Sequence, residues 1–134
     1  MNTQSLRVMV VDDDHPYSVV LKKTLTGHGH DVLVCSSAEE AFHHLQKEQF
    51  DIMLLDYKME GTNGINVLQW MYGMKMDIPV IIITGYGSEE IALEAWKWGA
   101  KDYFVKGKSD MSQLPALVLK VYKQAVSERQ HRVH

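Results

Sequence analysis

Cysteine is nearly absent: a single residue, Cys35, excludes an intramolecular disulfide and any site built from several thiolates. That usage suits a reducing compartment, and Cys35 itself reads as a buried structural thiol. No apolar run approaches the roughly 20 residues that span a bilayer, and the N-terminus lacks the apolar stretch of a secretory signal. The expected protein is soluble and cytoplasmic, without a membrane anchor. Positive charge is not in excess either. The net charge is -3 and acids and bases are scattered, so no basic stripe is available to neutralise nucleic-acid phosphates. Direct nucleic-acid binding is therefore not expected. At 134 residues and 46% hydrophobic composition, the chain can bury one continuous core but has no room for a second full domain.

Within that single domain, five short segments are rich in Val, Ile, Leu and aromatics: Leu6 to Val11, Val32 to Cys35, Ile52 to Leu55, Val80 to Ile83 and Tyr103 to Val105. Each suits a buried strand. The first, third and fourth are nearly continuous apolar runs rather than alternating ones, the pattern of parallel strands covered on both faces. Between them apolar residues recur at helical spacing: Val19, Val20, Leu21 and Leu25; Ala38, Ala41, Phe42 and Leu45; Val67, Leu68 and Met71; Ile91, Ala92, Ala95 and Trp96. Leu114, Leu117, Val118, Val121 and Tyr122 give a fifth stripe. Gly27 and Gly29 follow the first helix, Gly61 and Gly64 flank the loop after the third strand, and Gly99 ends the fourth helix. Five repeats of strand then helix predict an α/β fold, a doubly wound parallel sheet of the flavodoxin-like class with strand order 2-1-3-4-5.

In such a sheet, ligands collect beyond the carboxyl ends of the strands, where the strand order reverses. Asp12 and Asp13 follow the first strand, Asp56 the third, Thr84 the fourth and Lys106 the fifth. Each has an ordinary reading alone: a solvated acidic loop or helix cap, a threonine capping a turn, a surface lysine. Their joint placement points elsewhere. Three carboxylates brought together repel one another unless a cation lies among them. An all-oxygen donor set suits magnesium rather than a softer metal. The seven histidines form no metal motif, and His15, beside the acidic residues, reads as a helix-start residue.

These residues resemble a known family. Val10-Val11-Asp12-Asp13-Asp14, Leu55-Asp56-Tyr57-Lys58-Met59 ending in Asn63-Gly64, Ile83-Thr84-Gly85 and Gly99-Ala100-Lys101-Asp102-Tyr103-Phe104-Val105-Lys106 together are similar to the two-component response-regulator (CheY-like) receiver domain. Any one motif is weak; four in the right order on the right elements are specific. The resemblance implies that Asp56 is the phosphoacceptor, with Asp13 and Asp56 ligating Mg2+ directly, Asp12 mainly through water, and the Lys58 backbone carbonyl adding a ligand. It implies that Thr84 and Lys106 contact the phosphoryl oxygens and that Tyr103 is the aromatic switch, turning inward as Thr84 moves. The implied partners are a histidine kinase or histidine phosphotransfer protein and a downstream effector. The signalling face, also a surface for homodimer formation, is made by the fourth helix, fifth strand and fifth helix. Such a domain catalyses only its own phosphorylation and dephosphorylation.

The chain also departs from the family pattern. Glu60 and Gly107 stand where prolines are usual, so a trans peptide is expected after Lys106. Tyr86 is placed to shield the acyl phosphate, which implies slow hydrolysis. A receiver domain over residues 5–126 leaves residues 127–134 as a helical extension or linker, either leading into a larger sensory or kinase protein or fraying in solvent. Two alternatives remain. A flavin binder of this fold needs a phosphate-cradling loop where Asp12, Asp13 and Asp14 stand. A degenerate receiver serving only as an interaction module normally lacks a central group, yet Asp13, Asp56, Thr84 and Lys106 are all present.

Overall fold

The computed structural model describes residues 4–85 and 89–132. Tyr86 lies outside the described residues. Five strands form one parallel sheet: β1 (Arg7–Val11), β2 (Asp31–Cys35), β3 (Ile52–Asp56), β6 (Val80–Thr84) and β7 (Asp102–Val105), in the spatial order β2-β1-β3-β6-β7. The predicted order 2-1-3-4-5 is therefore found once the short antiparallel pair β4 (Lys58–Met59) and β5 (Thr62–Asn63), unforeseen in the sequence, is set aside. Five helices connect the strands: α1 (His15–Thr26), α2 (Ala38–Leu45), α3 (Gly64–Gly73), α4 (Glu89–Lys97) and α5 (Leu114–Arg132), the last preceded by a 3-10 turn at Met111–Gln113.

Strands β3 and β6 are buried at every position, as their unbroken apolar runs demand. The pleat sends alternate residues to opposite faces. Met9, Val11, Met53, Leu55 and Ile82 meet α2, α3 and α4 on one side. Val8, Val10, Leu54, Ile81 and Ile83 meet Leu21 and Leu25 of α1 and Leu114, Val118 and Val121 of α5 on the other.

Helix starts follow local chemistry. Asp14 caps α1 by accepting from the Tyr17 amide, with Pro16 in the first turn; Ser37 and Asn63 cap α2 and α3 through the amides of Glu40 and Asn66. Gly64 at the start of α3 is sterically required. A Cβ there would stand 2.9 Å from the Asp56 carbonyl oxygen, so the chain can pass this close behind the strand end only without a side chain.

Two of the predicted stripes are corrected. Val19 and Val20 face solvent, and the inward stripe of α1 is Ser18, Leu21 and Leu25, spaced by three and four. The buried Ser18 hydroxyl donates to the His15 carbonyl, which removes the penalty of placing it there. On α4, Ala95 is buried and Trp96 is 61% exposed, because one residue turns the side chain about 100° around the helix. Trp98 is half-buried, its ring in a T-shaped contact with that of Tyr72.

Helix α5 continues through Arg132, and its end is tied to the body. Arg129 pairs with Asp77 through Nε and Oδ2 at 3.2 Å and donates from Nη2 to the Asp77 carbonyl at 2.8 Å, while Glu128 pairs with Lys101 at 3.4 Å. No cis peptide occurs among the described residues, so the bond after Lys106 is trans. Among them, no helix is long and apolar enough to cross a membrane.

Candidate functional site

Strands β1 and β3 are neighbours, yet the chain leaves β1 for β2 on one side and returns to β3 on the other. A crevice therefore opens beyond their carboxyl ends. Asp12 and Asp56 stand at the two lips, 1% and 4% exposed, and Thr84 is equally buried at the end of β6. Asp13 is exposed, with its Oδ2 accepting from the Glu60 amide at 2.9 Å. A proline at position 60 would have no N–H to give. One carboxylate oxygen from each of Asp12, Asp13 and Asp56 lies within 4.8 Å of the others, the one such cluster among the described residues.

Lys106 enters from the loop after β7, its amide donating to the Thr84 carbonyl at 2.8 Å. Its ammonium donates to Asp12 Oδ1 at 3.3 Å and Asp56 Oδ2 at 3.2 Å, and stands 3.7 Å from Asp14 Oδ2. Lys58 donates its amide to Asp56 Oδ1 at 3.3 Å and lines the cleft, of about 720 Å³, together with Asn63, Gly85 and Ile91. The sequence-derived residues Asp12, Asp13, Asp56, Lys58 and Lys106 are thus brought together, with Thr84 at the neighbouring strand end. Tyr103 is 44% exposed on β7, on the outer surface.

Three acidic side chains, those of residues 12, 14 and 56, stand within 4 Å of one ammonium, and the Asp13 carboxylate lies beside those of Asp12 and Asp56. Burial, then the nearby Asp12 carboxylate, pushes the Asp56 carboxyl up to about 7, against the pull of Lys106. For Lys106, burial alone would lower the ammonium, but Asp56 and Asp12 outweigh it and the net shift is upward. The two upward shifts differ in their leading cause: burial raises Asp56 first and the Asp12 charge adds to it, whereas at Lys106 the neighbouring carboxylates overcome burial. Asp12 Oδ2 lies 3.1 Å from Lys106 Nζ as an ion pair, yet this buried oxygen accepts no directed hydrogen bond. A hard, oxygen-seeking dication fits that donor set.

Sequence reasoning missed Tyr17, whose ring lies under the Lys106 ammonium at 4.7 Å from the ring centroid. Its spacing of four from Asp13 is a helical offset, but nothing in the sequence ties it to a lysine 89 positions later. Cys35 is buried as expected, and burial, with Glu40 and Glu48 adding to it, pushes its thiol up to about 11.

A doubly wound sheet with an acidic triad at its switch point and a lysine reaching over it defines a class of signalling domain. The family model for the response regulator receiver domain matches residues 8–119, and the chain belongs to that family. It is 36% identical over 106 residues to the transcriptional regulatory protein ZraR of Escherichia coli K12, covering 79% of this chain and 24% of that one. It is 38% identical over 103 residues to the two-component response regulator ARR14 of Arabidopsis thaliana, covering 75% and 27%. The chain thus spans about a quarter of the length of these curated relatives. The receiver domain of the Francisella response regulator 1452 superposes with a TM-score of 0.82 at 28% identity, covering 90% of this chain and 98% of that one. The receiver domain of a putative LuxO repressor protein from Vibrio parahaemolyticus gives 0.86 at 24% identity, covering 98% and 100%, a likeness of fold.

Proposed function

We propose that Asp56 accepts a phosphoryl group from the phosphohistidine of a histidine kinase or histidine phosphotransfer protein, or from a small phosphodonor. The observation that carries this reading is the buried Asp56 carboxylate, 3.2 Å from the Lys106 ammonium and within 4.8 Å of oxygens of Asp12 and Asp13. Asp12, Asp13, Asp56 and the Lys58 backbone carbonyl would hold Mg2+, which when bound supplies charge neutralisation between nucleophile and donor.

An Asp56 oxygen attacks phosphorus, the phosphorus–nitrogen bond to histidine breaks, and an acyl phosphate forms. Little else is covalent, so the work of the protein is alignment and electrostatics. Lys106 is placed to follow the charge from the carboxylate to the phosphoryl oxygens. Thr84, buried at the end of β6, is the nearby hydroxyl that the new oxygens can draw inward. Movement of Thr84 frees space for Tyr103 to turn in from its exposed position, repacking the α4–β7–α5 face. That face carries the exposed Leu93 and Trp96 and suits an effector or a second copy of the chain. A few kcal/mol of differential interaction suffices for such a switch. Residues 127–134, which begin within the last turns of α5, then serve as the link to any following module, and on this reading the domain is cytoplasmic.

The test is incubation with Mg2+ and a small acyl phosphate, followed by intact mass. Wild type gains one phosphoryl group and Asp56→Asn gains none; equal labelling of both, or of neither, refutes the assignment.

A further inference from the structure

The Lys106 backbone is held by its amide's bond to the Thr84 carbonyl at 2.8 Å, but its long side chain takes its position from what surrounds the ammonium. The residue that follows it, Gly107, has φ +78, in the left-handed region that glycine adopts without strain. The ammonium has three competing carboxylates in reach: Asp12, Asp56 and, at 3.7 Å, Asp14. Asp14 stands at the solvent edge, so a lysine drawn to it would leave Asp56. The ammonium also lies over the face of the Tyr17 ring, 4.7 Å from Nζ to the centroid.

The ring itself is well held. Tyr17 lies in the first turn of α1, its amide donates to the Asp14 side chain at 3.3 Å, and its half-buried ring packs against the apolar cluster shared by α1 and α5. The same hydrogen bond occupies Asp14 Oδ1 as a helix cap. An aromatic face attracts an ammonium through its quadrupole without neutralising it. It therefore holds the cation in place while leaving its full charge and its N–H donors for another oxygen. A fourth carboxylate in that position would compete with an incoming phosphoryl group; a ring does not.

We propose that Tyr17 is a positioning residue for phosphoryl transfer. Its ring clamps the Lys106 ammonium over Asp56, so that the lysine can exchange Asp12 for phosphoryl oxygens without swinging out to Asp14. The inference rests on the reading of Asp56 as phosphoacceptor and deepens it.

The test is a double-mutant cycle on the full chain, measuring the rate of Asp56 phosphorylation by a small acyl phosphate at saturating Mg2+ and donor. Tyr17→Leu, which keeps an apolar side chain but removes the π face, lowers the maximal rate about three- to tenfold. Tyr17→Phe, which keeps the face, restores it to within about twofold. In a Lys106→Met background Tyr17→Leu has no further effect, because the partner it acts through is gone. An unchanged rate in Tyr17→Leu, or an equal fall in both backgrounds, overturns the proposal. A ring that clamps the ammonium would also shield the adjacent Lys106 methylene, so its proton resonances are expected upfield in wild type and Tyr17→Phe but not in Tyr17→Leu. Were wild type itself to remain unphosphorylated, the phosphoacceptor reading would fall and the positioning role with it, while the ring-current shift would still decide the clamp.

Discussion

Replacing Asp56 by Asn should stabilise the metal-free protein above neutral pH, although it removes the central residue of the site. Without a dication, the folded state holds the Asp56 carboxyl at about 7, against an ordinary 3.8. Between those values the unfolded chain has already released its proton and gained hydration, while the folded chain keeps it. Stability therefore falls as pH rises from about 4 to about 7 and stays low above. About three pH units at ~1.4 kcal/mol each set a ceiling of ~4 kcal/mol for the penalty. Relaxation and water entry reduce the realised gain in Asp56→Asn to about 1–3 kcal/mol, the Asn oxygen still accepting from Lys106. For a chain of 134 residues that corresponds to a rise in Tm of roughly 4–10 °C. The assay is thermal unfolding in a chelator at pH 8 and again near pH 4.5, where most of the gain should vanish. Saturating Mg2+ should narrow the gap at pH 8, since ligand binding to the folded state stabilises wild type more. An Asp56→Asn variant no more stable than wild type at pH 8, or stabilised equally at both pH values, would refute the electrostatic account of the site.

Other consequences are equally direct. Asp13→Asn should weaken Mg2+ binding by about tenfold or more, read from a fluorescence or NMR titration, because it withdraws one of three charged oxygens; unchanged affinity would remove Asp13 from the ligand set. His30 is buried, its Nδ1 accepts from the Leu6 amide at 3.1 Å, and burial, with His28 adding to it, lowers its pKa from 6.5. Its contribution is therefore full above pH 6.5 and lost as pH falls below it, on the order of 1 kcal/mol. His30→Asn, whose side-chain oxygen can accept the same amide, should flatten that part of the pH–Tm curve, and an unaltered curve would contradict the assignment. Gly64→Ala should cost about 1–3 kcal/mol in denaturant melts, since its Cβ would meet the Asp56 carbonyl at 2.9 Å; a neutral outcome would show that α3 shifts freely.

Five strands, five helices and the acidic cluster at one end of the sheet were legible in the sequence because they rest on local signals. Apolar runs such as Val80 to Ile83 demand burial on two faces, and polar residues placed just after such runs, such as Thr84, must lie at strand ends. Phase was not legible. A stripe such as Val19, Val20, Leu21 and Leu25 states that α1 is amphipathic, but which side turns inward depends on the sheet beneath it, and there Ser18 displaced both valines. Trp96 escaped the core for the same reason.

Chemistry divides along the same line. Residue types alone determined that oxygen donors and one lysine would gather at the switch point, since α/β connectivity leaves them nowhere else. Only the tertiary structure decided how strongly they interact. The Asp56 carboxyl rises because β3 is covered on both faces and Asp12 is folded against it; Lys106 meets Tyr17 across 89 positions, and Arg129 meets Asp77 across 52. Desolvation and Coulomb energy depend on distance and burial in space, and neither can be counted along a chain.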